Sequence, residues 1–335
     1  MKTMRAVISD GYGEPEVLKI EETQLPALKA GQVRIRVEAT SINRADIHQR
    51  RGNYPPPPGE SQILGLEVAG TIQAIGPAVS GWKPGDRVMS LVSGGGYAEY
   101  AASYADHLIA IPDSVTFEEA ACFCEAYITA YLNIFMVGGF KDSESLLVHG
   151  GGGGVGTAAL QLCKTLLPGS KVILTASGGK VGRLKEMGAD LAIDYKEEDF
   201  VQRIRDYTDN HGVDQILDHV GAGYLERNLK ALAVGGRLVV IGVMGGAAAE
   251  INLARLMIKR QRIIGSVLRA RPVKEKAQIV SRFSLAVLPG FSDRSIVPVI
   301  YKTFPMEQVA DAHRTMEENR HFGKIVLRIG SGSDV

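Results

Sequence analysis

The stretch Leu146-Leu147-Val148-His149, followed by Gly150 to Gly154 and then Val155-Gly156, constrains this chain more than any other. Three apolar residues suited to a buried strand run into five consecutive glycines. Apolar residues then recur at Val155, Ala158, Ala159, Leu162, Cys163 and Leu166. That spacing traces one face of an amphipathic helix. Strand, glycine turn and helix form the context in which a dinucleotide fingerprint has physical meaning. Gly151-x-Gly153-x-x-Gly156 has the usual spacing, and Gly150-x-x-Gly153-x-x-Gly156 is a looser version of it. A Cβ at these positions would hold the backbone away from a pyrophosphate. Without one, the free N–H groups of the first helical turn, those of Gly154 and Val155 included, face the anion.

With 335 residues the chain is long enough for two domains, each with its own core. Residues 1 to 124 read as β-rich. Val33, Ile35 and Val37 alternate with Arg34, Arg36 and Glu38, the period of a half-buried strand. Leu64 to Gly70 and Asp86 to Met89 read as further strands, with turns at Lys83-Pro84-Gly85-Asp86 and Gly94-Gly95-Gly96. The Pro55 to Pro58 run is a stiff extended loop that holds the preceding Tyr54 in place. From 125 to 266, strands at 146–149, 171–175, 191–194, 213–217, 237–242 and 262–267 alternate with helical segments at 155–167, 180–187, 198–210, 223–233 and 252–260. Strands joined by helical crossovers imply an α/β unit with a doubly wound parallel sheet. Beyond Ser266 the pattern loosens to a strand over Ile296–Tyr301, a helix over Glu307–Asn319 and a closing strand over Lys324–Ile329. The expected organisation is 1–124 with 267–335 as one domain and 125–266 as the dinucleotide-binding domain.

Charge and cysteine content narrow the function classes. With 38 basic against 37 acidic residues, no broad basic face for nucleic acid is expected. Cys122, Cys124 and Cys163 are too few and badly spaced for a disulfide framework or a four-thiolate zinc site, so buried thiols are expected. No run approaches the ~18 apolar residues of a membrane span. The start, Met1 to Arg5, has no signal-peptide core, which makes the cytosol the expected compartment.

The residues after the second strand of such a sheet select the cofactor. An acid about 20 positions beyond the glycines would bind the adenosine ribose and favour NAD. The corresponding segment, Thr175 to Lys180 and then Arg183, contains no carboxylate. Ser177 and Lys180 can instead donate to a 2′-phosphate, which predicts NADPH.

Lys83 to Val88, Glu125 to Tyr131 and the glycine turn resemble the medium-chain dehydrogenase/reductase superfamily, and within it the zinc-free quinone oxidoreductases of the zeta-crystallin-like group. Ser41 to Asp46, Gly52 to Gly59, Ile63 to Glu67, Leu268 to Arg271 and Asn319 to Leu327 are similar to the tumour-suppressor-inducible branch of that group. The resemblance runs over nearly the whole chain. It implies a GroES-like β-rich catalytic domain beside a Rossmann domain, with the reaction in a cleft between them. Zinc-dependent relatives carry a cysteine and a histidine where this chain has Asn43 and Leu66, so no metal is expected. The resemblance further implies that Asn43, Thr129, Val243 and Leu268 surround the nicotinamide, and Gly242 is expected as a cofactor contact. Lys180 and Tyr195 would flank the 2′-phosphate, Arg269, Asn319 and Lys324 are further cofactor contacts, and Tyr54 sits over the substrate. Many members carry a second active-site tyrosine where this chain has His48, which leaves the proton donor open among Tyr54, His48 and water.

Reduction of quinones by NADPH is the expected activity. A quinone needs little acid assistance, because its ring stabilises the reduced oxygens, so Tyr54 as a donor and a closed site suffice. Asp46 is expected to position Asn43 or Tyr54. The alternative within enzymes is reduction of conjugated enones or enoyl thioesters with the same cofactor. The alternative from another class is a structural or RNA-binding protein, as some members of the group are, and the charge balance argues against RNA as the main partner. Short-chain reductases need Tyr-x-x-x-Lys, which none of the 11 tyrosines provides. The strand at Arg262–Val267 is expected at a sheet edge, and edges need covering, which predicts a homodimer.

Overall fold

A computed structural model describes residues 2–330. The chain separates into two compact units: one runs up to Ile128 and resumes at Leu268, and the other is Thr129–Val267.

The second unit is a six-stranded sheet in the order Leu191–Asp194, Lys171–Ala176, Ser145–Val148, Val213–Asp218, Leu232–Val240, Arg262–Gly265, with every neighbouring pair parallel. Its central strands are apolar runs rather than alternating ones, because crossover helices cover both faces. Leu146, Leu147, Ile173, Leu174, Ile216 and Leu238 are all fully buried. The crossovers are the helices Gly154–Leu166, Gly178–Glu186, Phe200–Tyr207, Leu225–Ala231 and Leu253–Ile258. The winding reverses beside Ser145–Val148. The two strands that follow it lie on one side, and Val213–Asp218 returns to the other. Such a switch point leaves a crevice at the strands' C-terminal ends, and the glycine turn starts there. One helix is shorter than its pattern suggests. It stops at Ala231, because Leu232 already pairs with Val213 and a register shift carries the strand through Gly235-Gly236.

The first unit contains a seven-stranded sheet with the path Ile300–Pro305, Lys324–Arg328, Gln32–Ile42, Glu67–Ile75, Arg87–Leu91, Leu108–Ala110; Tyr100–Tyr104 pairs with Gln32–Ile42 off this path. Thr3–Ser9 and Leu18–Gln24 form a separate antiparallel pair. Val33, Ile35 and Val37 point into one core with Val68, Ile72, Val88, Phe304, Ile325 and Leu327. Each such side chain contributes about 1.5–3 kcal/mol by leaving water. Lys324–Arg328 pairs antiparallel with Gln32–Ile42, Ile325 opposite Ile42, which brings Lys324 next to Asn43.

Two features of this unit differ from expectation. The chain's longest helix, Val273–Ser292, was not legible in its pattern. Its inward residues Lys276, Ile279, Val280, Phe283, Val287, Gly290 and Phe291 keep helical spacing. A lysine at an inward position and a Pro289-Gly290 pair disguise it. The strand expected at Ile296–Tyr301 runs instead from Ile300 to Pro305. Pro298 has no N–H to give a ladder, and a register shift between Ile300 and Lys302 moves the pairing onward.

Among the described residues, no helix is long and apolar enough to cross a membrane. Cys122, Cys124 and Cys163 are buried free thiols.

Candidate active site

In the second unit, each glycine of the turn meets a different neighbour. Gly150 adopts φ +65°, and a Cβ there would collide with the His219 ring, 2.6 Å from its Nε2. A Cβ at Gly151 would meet Leu174, and one at Gly156 would lie 2.5 Å from the Gly151 backbone, so these two set how closely helix and strand approach. A Cβ at Gly152 would lie 2.6 Å from Cδ of Lys180, whose stem crosses the turn. Gly153 is the N-cap of Gly154–Leu166 and has room beside it. Gly153, Gly154 and Val155 are half-exposed at the head of that helix. Thr157 donates the first intrahelical bond, to the Gly153 carbonyl. The N–H groups of Gly154, Val155 and Gly156 therefore have no partner within the helix. The turn fits the pyrophosphate of a dinucleotide.

Ser177 caps the helix Gly178–Glu186, and its carbonyl accepts from the Lys180 N–H at 2.8 Å. Asp194 lies opposite Ala176 in the parallel ladder, and the Tyr195 N–H bonds the Ala176 carbonyl at 3.1 Å. Ser177 and Tyr195 thus follow directly on two adjacent paired strands, and Lys180 lies in the first turn of the helix that Ser177 caps. The same pairing brings in a carboxylate that the Thr175–Lys180 segment does not contain: Asp194 Oδ2 lies where a Cβ on Gly178 would go. Gly242 backs onto His219, Val243 is exposed, and Thr129 is half-buried with its carbonyl bonded by Asn133 Nδ2 at 2.8 Å.

The first unit holds a buried polar cluster centred on Glu67. Lys324 Nζ lies 2.9 Å from Glu67 Oε1 and 2.6 Å from Asn43 Oδ1. Asn43 Nδ2 donates to Glu67 Oε1 at 3.0 Å, Ser41 Oγ donates to the same oxygen, and the Glu125 N–H donates to Oε2 at 2.8 Å. Every polar atom of the Asn43 amide is therefore engaged and its orientation is fixed. Among buried ions, this degree of satisfaction is what offsets desolvation.

Asp46 is fully buried. It closes a capping box on the helix Arg44–Arg50 by accepting the Asn43 N–H at 2.8 Å, and it also accepts the Tyr97 hydroxyl at 3.0 Å and the Gly65 N–H at 3.1 Å. Burial pushes its carboxyl up to about 6, against the pull of those hydrogen bonds. Its hydrogen bonds go to Asn43, Gly65 and Tyr97. Behind it, Tyr97 meets His313 Nε2 at 3.3 Å and Arg50 meets His313 Nδ1 at 3.1 Å. Burial lowers His313 to about 3, so the ring is neutral. An Arg50 donor at Nδ1 then puts the ring proton on Nε2.

Tyr54 is half-buried, with the Arg269 guanidinium 5.2 Å from its ring centroid. Burial raises its phenol above the ordinary value. Arg269 and Lys324, expected as cofactor contacts, are both buried and committed within their own unit. Arg269 bonds the Ser93 carbonyl at 2.7 Å, Gln49 Oε1 at 2.7 Å and the Tyr54 carbonyl at 3.4 Å. Arg269 thus lies against Tyr54, and Lys324 bonds Asn43. Leu268 is buried, Asn319 is exposed with φ +54°, and His48 is half-buried with its pKa lowered, by burial first and then by Arg44 and Arg51.

Glu125 donates its backbone N–H to the Glu67 cluster and is not among the site residues expected from the sequence. A carboxylate between the buried Cys122-Phe123-Cys124 and the apolar helix Ala126–Tyr131 is the signal that would have flagged it.

Residues 29–113 match the alcohol dehydrogenase GroES-like domain, and residues 154–284 match the family described as zinc-binding dehydrogenase. Human quinone oxidoreductase is 35% identical over 333 residues, which cover 97% of this chain and 98% of that protein. The chain belongs to the medium-chain dehydrogenase/reductase superfamily. A member of this superfamily with such relatives is an oxidoreductase that uses a nicotinamide cofactor. A mycobacterial protein solved in complex with NADPH superposes with a TM-score of 0.86 at 30% identity, over 97% of this chain and 100% of that one. The CurK enoyl reductase superposes at 0.84 with 25% identity, over 98% and 100% of the two chains.

The metal in the name zinc-binding dehydrogenase does not fit this medium-chain reductase. Asn43 and Leu66 are not zinc ligands, and Glu67 spends its carboxylate on Lys324, Asn43, Ser41 and a backbone N–H. Among the described residues, no group of three or more His, Cys, Asp or Glu is arranged to hold a metal.

Proposed function

We propose that this enzyme reduces quinones with NADPH as the hydride source. The observation that carries the cofactor choice is the placement of Ser177 and Tyr195 after two adjacent paired strands, with Lys180 in the first turn of the following helix and its stem laid across Gly152. A lysine and two hydroxyls suit a 2′-phosphate. The turn from Gly151 to Gly156 would hold the pyrophosphate, and the bound cofactor would supply the hydride.

The quinone reading is supported by the curated relatives and by the chemistry of the first unit. A quinone accepts hydride without a Lewis acid, and this unit offers Asn43 in a fixed orientation and the Tyr54 ring steadied by Arg269. A flat aromatic wall suits a flat acceptor. The likeness to an enoyl reductase supports a second reading, reduction of conjugated enones or enoyl thioesters.

A panel of quinones, enones and enoyl thioesters, assayed with NADPH and with NADH, tests both. The expected result is the highest kcat/KM for a quinone with NADPH. Turnover confined to enones or thioesters would replace the quinone reading with the second, and turnover with NADH alone would remove the phosphate assignment.

A further inference from the structure

Glu125 stands between buried Cys124 and Ala126, at the start of the helix Ala126–Tyr131. Its N–H is anchored on Glu67 Oε2 at 2.8 Å, which ties it to the cluster that orients Asn43. Its carboxyl makes no hydrogen bond or ion pair among the described residues, and the residue is half-buried, so the group is enclosed without being sealed. The charged and titratable groups that act on it or feel it are Glu67, Lys324, Asp46, Arg269, Tyr54, Lys276 and the Cys124 thiol. Burial raises the carboxyl most, the negative charge of Glu67 adds to that, and Lys324 and Arg269 do not outweigh them. The carboxyl is pushed up to about 8, so near neutral pH it carries a proton.

A neutral carboxylic acid tied to the Glu67–Asn43 cluster and in electrostatic reach of Tyr54 is a proton source for an acceptor held by those residues. We propose that Glu125 is the acid that supplies the proton accompanying hydride transfer to the acceptor. The proposal rests on the reading of the protein as a reductase of quinones or enones. Hydride brings two electrons and one hydrogen to the acceptor, leaving a hydroquinone anion or, from an enone, an enolate. The O–H bond of Glu125 breaks, and its proton goes to that oxygen or to the α-carbon of the enolate. The carboxylate then recovers a proton from water. The sum is NADPH, one proton and the acceptor going to NADP⁺ and the reduced acceptor. Tyr54 is the weaker candidate, since burial holds its phenol above the ordinary value. An acid works best with its pKa near the operating pH. A hydroquinone anion, stabilised by its ring, also takes protons from water, whereas protonation at the carbon of an enolate is slow and needs the acid more.

The test is NADPH oxidation by the wild type, Glu125→Gln and Glu125→Asp, with a quinone and with a conjugated enone, from about pH 6 to about pH 10. NADPH affinity by fluorescence titration runs beside it. In Glu125→Gln the proposal predicts unchanged NADPH affinity, an enone kcat lower by about 100-fold or more, and a quinone kcat lower by less than about tenfold. The alkaline fall above about pH 8 is present in the wild type, retained in Glu125→Asp and absent in Glu125→Gln. If the wild type turns over only the quinone, loss of that fall in the Gln variant supports the proposal and its persistence overturns it. Enone turnover in Glu125→Gln within about threefold of wild type, with the same alkaline fall, overturns the proposal and leaves the reductase reading standing. A wild type inactive with both acceptors overturns the functional reading and the proposal with it.

Discussion

Lys324 and Glu67 form an ion pair of 2.9 Å in the interior of the first unit, with side chains 4% and 0% exposed. The lysine opens the last strand and the glutamate opens Glu67–Ile75, so residues 257 positions apart are joined next to Asn43. Removing one member of such a pair leaves a buried charge without a partner, which typically destabilises by about 3–5 kcal/mol. Lys324→Met is expected to lose stability of that order in chemical denaturation, and adding Glu67→Gln to restore part of it. A Lys324→Met midpoint equal to the wild type's would show the pair to be dispensable.

Tyr54 contributes a ring and a hydroxyl, and two variants separate them. Stacking against a flat acceptor is worth about 0.5–1.5 kcal/mol beyond burial. Tyr54→Ala should therefore raise the quinone KM well beyond Tyr54→Phe, by roughly three- to tenfold on stacking alone. Equal losses in the two variants would assign the effect to the hydroxyl and favour an acid-dependent acceptor.

The edge strand Arg262–Gly265 lies among exposed apolar side chains: Leu253, Met257, Ile258, Ile263 and Val267. An uncovered edge with such neighbours favours pairing with a second copy. We expect a homodimer of twice the 36.0 kDa chain mass by light scattering. Ile263→Lys should convert it to a monomer. A monomeric wild type at micromolar concentration would contradict this.

Glu125 should also leave a mark on stability. Its carboxyl titrates near 4.5 when unfolded and about 8 when folded. Between those values the unfolded chain has released the proton and the folded chain still holds it. Wild-type stability is therefore fully present below about 4.5 and declines as pH rises through about 8. Glu125→Gln has nothing to titrate there. Its Tm relative to wild type should climb across that window and then level off; a pH-independent difference would show that the carboxyl is not held protonated.

The second unit was legible because its signals are local. A buried strand is a short apolar run, and a glycine turn before a helix has few alternatives. That Ser177 and Tyr195 follow neighbouring strands was legible, because parallel pairing brings successive strand ends together. Asp194 was not, because its carboxylate reaches Gly178 across the same pairing and lies outside the Thr175–Lys180 segment. The first unit's cluster was legible only in pieces. Asn43, Asp46 and Lys324 could be named, but which touches a ligand and which holds a neighbour depends on Glu67, Tyr97 and Arg269, brought in from distant elements. Glu125 shows the same limit. Its distinction lies in what surrounds it, and those groups come from across the first unit.

The central claim is that the cofactor is NADPH, held at its phosphate by Lys180, and equilibrium titration of NADPH and NADH into the wild type and Lys180→Ala tests it directly. A hydrogen bond to a charged group contributes roughly 1.5–3 kcal/mol, about ten- to a hundredfold in affinity. The wild type should prefer NADPH, and Lys180→Ala should weaken NADPH by that factor while leaving NADH nearly unchanged. Equal affinity of the wild type for the two cofactors, or equal weakening of both in the variant, would contradict the assignment.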